Sequence, residues 1–254
     1  MVLNFKSYGD GQAVIILHGL LGSLDNWQTH ARRLSSEFKV YAVDLRNHGK
    51  SPHSDIHNYP VMAEDLLDFL DEHKIGKAHV IGHSMGGKAA MQFAISHPER
   101  VLKLMVVDIS PRSYESGHDL IFKALSEIDL TKISKREEAD AMLTEQIPEP
   151  AMRQFLLKNL DRTPEGLFAW KMNLQGLTKN YAKINIPIES DTAIKIPAMV
   201  IRGGKSGYVK DADLQSFRNI FPETQLLTIA NSGHWVHADA PDEFYKEVRQ
   251  FLLA

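Results

Sequence analysis

An α/β fold on a mostly parallel sheet is predicted by three observations. Short runs rich in apolar residues recur along the chain, as in residues 13–17, which are continuously apolar, and 40–43, 78–81 and 196–201, and such runs suit strands of a buried sheet. Helical periodicity fills most intervals between them, which is the pattern of parallel strands with crossover helices. The rhythm breaks between residues 111 and 187, where no buried-strand run is visible. That stretch reads as one block of helices inserted between two strands.

Each element has its own grounds. Residues 2–8 alternate weakly and read as an edge strand. Residues 13–17 (Ala-Val-Ile-Ile-Leu) form the first buried strand. Residues 24–38 have helical character with Asp25 near the start, and residues 40–43 form the next strand. A turn-rich loop over 47–58 leads to Pro60, which opens a helix running to about His73. Residues 78–81 are a strand, 85–97 a helix stopped before Pro98, and 102–107 a strand. Within the insertion, helices are expected near 119–128, 135–147, 152–160 and 164–177. The strand rhythm resumes at 196–201, followed by a helix near 211–221, a strand at 225–229 and a closing helix at 242–253 behind Pro241. The expected division is therefore a core of residues 1–110 and 188–254 and a helical cap of 111–187. The cap should lie over the carboxyl ends of the strands, where open α/β sheets bind ligands.

Composition narrows the function classes. The chain of 254 residues has 43% hydrophobic and 24% charged residues, an ordinary globular balance. It has no cysteine, which excludes disulfides, thiolate metal sites and a cysteine nucleophile. A net charge of −3 offers no basic footprint for nucleic acid. The longest apolar stretch, 13–21, is broken by His18 and Gly19 and is too short to span a bilayer. No basic segment followed by a long apolar run opens the chain, so the expectation is a cytoplasmic protein without membrane insertion.

The chemistry is concentrated in loops that follow strands. Gly82-His83-Ser84-Met85-Gly86 is a G-x-S-x-G sequence lying between a buried strand and a helix. In that context it reads as a nucleophile elbow, a turn sharp enough that flanking side chains would clash. A phosphate-binding loop is the competing reading, but neither G-x-x-x-x-G-K-[ST] nor G-x-G-x-x-G is present. A serine hydroxyl needs a base. His234, in Gly233-His234-Trp235 after the last strand, has the required position and chain order; His237 is its rival. His48, His53 and His57 share a loop without metal-ligand spacing, and His79 and His83 read as strand and turn residues.

The base needs a carboxylate. In the loop after strand 196–201, Ser206 stands where an aspartate would be expected, and serine cannot be the anion. Asp108 ends the strand after the nucleophile helix and keeps the order Ser84, Asp108, His234. Asp211 and Asp213 are the alternatives, although they read as helix-start residues. His18-Gly19-Leu20-Leu21-Gly22 follows the first buried strand, and the backbone N–H groups of Leu20 and Met85 are the candidate oxyanion donors. No metal or cofactor is expected.

In these motifs the chain resembles the α/β-hydrolases. His18-Gly19, the stretch from Asp44 to Ser51, the Gly82–Lys88 run and Gly233-His234-Trp235 occur in that family's usual order. Within it the chain is most similar to the bacterial YbfF-type esterases. The pointers are Arg46-Asn47-His48-Gly49, Lys88, the run from Val107 to Pro111, and Tyr208-Val209. The resemblance implies an acid at Asp108 and hydrolysis of short- to medium-chain acyl esters or thioesters. Small-molecule acyl esters are thus the expected partners. Carbon–carbon bond hydrolysis, acyl transfer or perhydrolysis on the same triad are alternatives, and a non-catalytic ligand-binding protein is a third. The stretch from Asp44 to Ser51 reads as structural. In the insertion, Phe122, Met142, Met152, Phe155, Leu156, Phe168, Trp170, Met172 and Tyr181 are expected to pack on the body, with some lining an acyl pocket.

Overall fold

The structure is a computed structural model that describes residues 1–254. In chain order, β1 (Phe5–Tyr8) and β2 (Ala13–Leu17) lead into α1 (Gln28–Leu34), which a 3₁₀ turn over Leu24–Trp27 precedes. β3 (Lys39–Val43), α2 (Tyr59–Glu72), β4 (Ala78–His83), α3 (Met85–Ser96) and β5 (Val101–Val107) follow. The insertion carries α4 (Asp119–Ser126), α5 (Arg136–Leu143), α6 (Pro150–Leu157), β6 (Leu160–Arg162), β7 (Phe168–Trp170) and α7 (Leu174–Asn180). β8 (Ala198–Gly203), α8 (Asp213–Ile220), β9 (Thr224–Ile229), α9 (Val236–Asp239) and α10 (Pro241–Leu253) complete the chain.

Seven strands form one sheet in the order β1-β3-β2-β4-β5-β8-β9, parallel except for the edge strand β1. Every residue of β2 and of β4 is buried; β2 is therefore an unbroken apolar run, while β4 also buries His79 and His83. One face of the sheet packs on α2 and α3, the other on α1 and α10. α2 starts where the Asn58 side chain accepts the Val61 N–H at 3.1 Å, with Pro60 in the first turn.

The insertion shares its apolar interior with the first of those faces, so Phe122, Leu156, Leu177 and Tyr181 belong to one cluster with Met85 and Tyr59. Polar ties add to this. Asn159 Nδ2 donates to Leu21 O at 2.6 Å, Asn180 Nδ2 to Asp55 O at 2.9 Å, and the Tyr59 hydroxyl to Ile184 O at 2.6 Å.

One expected element is corrected. Residues 164–177 are not a helix; the antiparallel hairpin β6–β7 occupies the region, and α7 begins only at Leu174. The turn is closed by Thr163 N–H on Leu167 O at 2.7 Å, and Gly166 sits at φ 85°. A left-handed glycine two residues after Pro164 makes a turn there, whereas proline alone suited a first helical turn. Met142, expected to pack on the body, is about half exposed, at 49%.

Candidate active site

Ser84 is the residue between β4 and α3. Its backbone lies at φ 51°, ψ −120°, a conformation that costs a non-glycine residue about 1–3 kcal/mol. A serine in this place would ordinarily cap the helix with its side chain. Here it makes no cap bond, so Oγ stays available. The turn closes through Ser84 N–H on Val107 O at 2.9 Å and Gly87 N–H on Ser84 O at 2.8 Å. Gly86 has to be glycine, because a Cβ there would stand 2.5 Å from His18 O and 2.6 Å from Leu17 O.

Asp108 leaves the end of β5 at φ 50°, a left-handed position that aspartate tolerates better than most residues. It is fully buried. Its Oδ1 accepts Gly203 N–H at 3.0 Å, and its Oδ2 accepts both His234 Nδ1–H at 2.8 Å and the Ser206 hydroxyl. The serine that stands in place of an aspartate is therefore a hydrogen-bond donor to the carboxylate one strand away. Ser206 Oγ also accepts Tyr208 N–H at 3.2 Å, which fixes the loop. Gly203 lets the β8 loop and the Gly233 carbonyl pass in contact, and any side chain there would force them apart.

His234 is held on three sides. Asp108 takes Nδ1–H. The Tyr208 ring stacks on the imidazole at 4.0 Å between centroids and 21° between planes. His83 Nε2–H donates to the His234 carbonyl at 2.8 Å, and burial holds His83 well below its ordinary pKa, so it stays a neutral donor. An Nδ1–H on His234 leaves Nε2 as the acceptor, on a ring that lines the same cavity of about 820 Å³ as Ser84. No hydrogen bond joins Ser84 Oγ to His234 in the resting arrangement; contacts of this kind tighten when substrate binds.

The remaining sequence candidates separate cleanly. Leu20 N–H has no acceptor within the protein, and Met85 is the first residue of α3, where N–H groups lack an intrahelical partner. Both residues line a second cavity of about 700 Å³ with Ser84. Asp211 pairs with Arg202 at 2.6 Å, and Asp213 caps Lys210 N–H at 2.8 Å and faces Arg112 at 3.4 Å, so neither touches His234. His237 is buried and stacked on Trp27 at 4.2 Å, away from any carboxylate. Asp44 accepts Leu24 N–H, Asn4 Nδ2 and Lys50 N–H at 2.7, 2.7 and 2.9 Å, and Arg46 forms a buried two-bond pair with Asp65. The stretch from Asp44 to Ser51 is thus structural, as expected. His48 is buried too: it accepts Leu21 N–H at 3.2 Å and bonds Arg46 O at 3.0 Å.

From the insertion, Ile121, Met152 and Phe155 reach the larger cavity, where Phe155 meets Trp235 at 5.3 Å. Tyr181 lines the smaller one. Tyr208 and the buried Lys88 were visible in sequence only as points of resemblance. Their contacts with His234 and with the insertion depend on chain segments far apart in sequence.

No helix is long and apolar enough to cross a membrane. Comparison with known proteins agrees with the fold. Residues 12–132 match the family model described as alpha/beta hydrolase fold. Esterase YbfF of Escherichia coli K12 is 39% identical over 240 residues, covering 94% of this chain and 92% of that one. The sn-1-specific diacylglycerol lipase ABHD11 of Danio rerio is 37% identical over 257 residues, covering 98% and 80%. Among solved structures, a marine microorganism esterase superposes with a TM-score of 0.96 at 40% identity, covering 98% of both chains. With its strand order, its serine turn and relatives matched over at least four-fifths of their length, the chain belongs to the α/β-hydrolase fold family.

Proposed function

We propose that this protein is a carboxylic ester hydrolase that works through an acyl-enzyme on Ser84. The observation that carries the reading is the buried Asp108 carboxylate on His234 Nδ1 at 2.8 Å, with that imidazole and Ser84 facing one cavity. Relatives named as esterases and as a diacylglycerol lipase support the ester as the bond cleaved.

In the first half-reaction Ser84 Oγ attacks the acyl carbon while its proton passes to His234 Nε2. The carbonyl oxygen becomes an oxyanion, stabilised by the N–H groups of Leu20 and Met85, each donor contributing about 3 kcal/mol. Asp108 keeps Nδ1 protonated and stabilises the imidazolium. Collapse of the tetrahedral intermediate breaks the carbon–oxygen bond, and His234 returns its proton to the departing alkoxide. In the second half-reaction His234 takes a proton from water, whose oxygen attacks the acyl carbon. The acid leaves and Ser84 regains its proton. The insertion, residues 111–187, acts as a cap that supplies apolar walls to the cavity and excludes water. Short- to medium-chain acyl groups are the proposed substrates.

The test is turnover of p-nitrophenyl esters of graded chain length by the parent and by Ser84→Ala. Turnover with a short- to medium-chain optimum, abolished in Ser84→Ala, is expected. Equal rates for parent and variant would overturn the reading.

A further inference from the structure

Lys88 lies one helical turn beyond Ser84, on the same face of α3. It is among the largest fully buried side chains of the protein, at 1% exposure. No carboxylate lies within ion-pair distance of it. Its ammonium donates to Arg112 O at 2.8 Å and to Ile186 O at 2.5 Å, one carbonyl in each of the two chain crossings between body and insertion. The rings of Tyr114 and Tyr59 stand 5.0 and 5.9 Å from Nζ. An ammonium has three N–H donors, so one is left without a protein acceptor.

Lys88 lines the smaller cavity, together with Ser84, Leu20 and Met85. The two cavities share Leu20, Ser84, His118 and Tyr208, but His234 lines only the larger one. This divides the substrate. His234 must protonate the leaving oxygen, so the leaving group belongs on its side, in the larger cavity. The acyl group then extends the other way, past the candidate oxyanion donors and toward Lys88. Arg112 and Lys210 line the same cavity, against a single acid, Glu115. Burial, with the Arg112 charge nearby, pulls the Lys88 pKa down to about 7, and an arriving carboxylate would favour the charged ammonium.

We propose that the acyl pocket is built for acyl groups carrying a carboxylate at their far end, half-esters of short dicarboxylic acids, with Lys88 as the residue that reads the carboxylate. The inference rests on the acyl-enzyme reading above and adds the substrate class.

The experiment compares p-nitrophenyl hydrogen adipate with p-nitrophenyl hexanoate, which has the same number of acyl carbons and no charge. The parent should favour the adipate half-ester in kcat/KM by about tenfold or more, as a hydrogen bond to a charged group allows. In Lys88→Met the ratio of the two kcat/KM values should fall by a similar factor, and Lys88→Arg should restore part of it. A purely structural role at the crossings would lower both esters together and leave the ratio unchanged. The parent comparison needs no variant, so a misfolded Lys88→Met would not remove the test. Binding is read separately by calorimetry on Ser84→Ala, which should take up ethyl hydrogen adipate more tightly than ethyl hexanoate. Equal binding and an equal or reversed kcat/KM ratio would overturn the proposal while leaving hydrolysis at Ser84 intact. Loss of all Ser84-dependent turnover would instead sink the acyl-enzyme reading, with the binding comparison still deciding the pocket.

Discussion

Replacing Asp108 by asparagine changes one atom in a site whose hydrogen bonds leave little choice of orientation. Gly203 N–H points at Oδ1 from 3.0 Å and can only donate, so the amide oxygen of Asp108→Asn has to stay there. The amide nitrogen then occupies the place of Oδ2, facing His234 Nδ1 and the Ser206 hydroxyl. A donor at that place forces Nδ1 to accept, and the imidazole proton moves to Nε2. In that tautomer His234 cannot take the Ser84 proton. The negative charge that would stabilise the imidazolium is lost as well. A triad aspartate exchanged in this way costs about 10⁴ in kcat, or about 5.5 kcal/mol of transition-state stabilisation. The assay is steady-state p-nitrophenyl ester hydrolysis, with circular dichroism to verify the fold. Introducing Ser206→Asp beside Asp108→Asn should recover about tenfold or more, because the Ser206 side chain already bonds the Asp108 oxygen that faces His234, so a carboxylate at 206 returns negative charge beside the imidazole. A loss below about tenfold in Asp108→Asn alone would refute the role given to Asp108.

Other outcomes follow from the same structure. Ser206→Ala removes one donor to the Asp108 carboxylate and should lower kcat about tenfold with KM little changed in steady-state assays. Ser84→Gly should abolish turnover yet raise stability by about 1 kcal/mol in urea unfolding, because glycine accepts φ 51° without strain. Asp65→Ala strands the buried Arg46 guanidinium and should lower stability by about 3–5 kcal/mol in the same measurement. Burial lowers the pKa values of His57 and His237 to about 3 and of His79 to about 4, from an ordinary 6.5. Below pH 6.5 the unfolded chain therefore binds more protons than the fold, and stability present above that pH is lost as pH falls toward 4 and 3. The three together should remove about 5 kcal/mol between pH 6.5 and 5, read as a falling urea midpoint; a flat profile over that window would count against their being neutral in the fold.

Much of this fold was legible because its central strands are buried on both faces. The apolar runs of β2 and β3 and the apolar-rich β4 need no partner to be recognised, and the helices between them carry ordinary start signals such as Asn58-Tyr59-Pro60. Ser84 and His234 were legible for a different reason: a strained turn needs glycines beside the serine, and the base needs a loop after the last strand. Asp108 came from chain order and from the serine at 206, and from the family resemblance. The hairpin β6–β7 was not legible, since three-residue strands carry no periodicity and the turn after Pro164 imitates a helix start. Nor was the use made of Ser206. The sequence shows a missing acid there, while the bond that gives the hydroxyl its role spans 98 positions. Tyr208 on His234 and Lys88 between the two crossings are likewise products of packing between distant segments.

The proposed hydrolysis passes through a covalent intermediate at Ser84, and the most direct measurement is to trap it. The parent would be mixed with a p-nitrophenyl ester, quenched in acid within the first turnovers, and examined by intact mass and peptide mapping. The expected result is a mass gain of one acyl group, confined to the peptide containing Ser84 and absent from Ser84→Ala. No acyl adduct during Ser84-dependent turnover, or an adduct on another side chain, would contradict it.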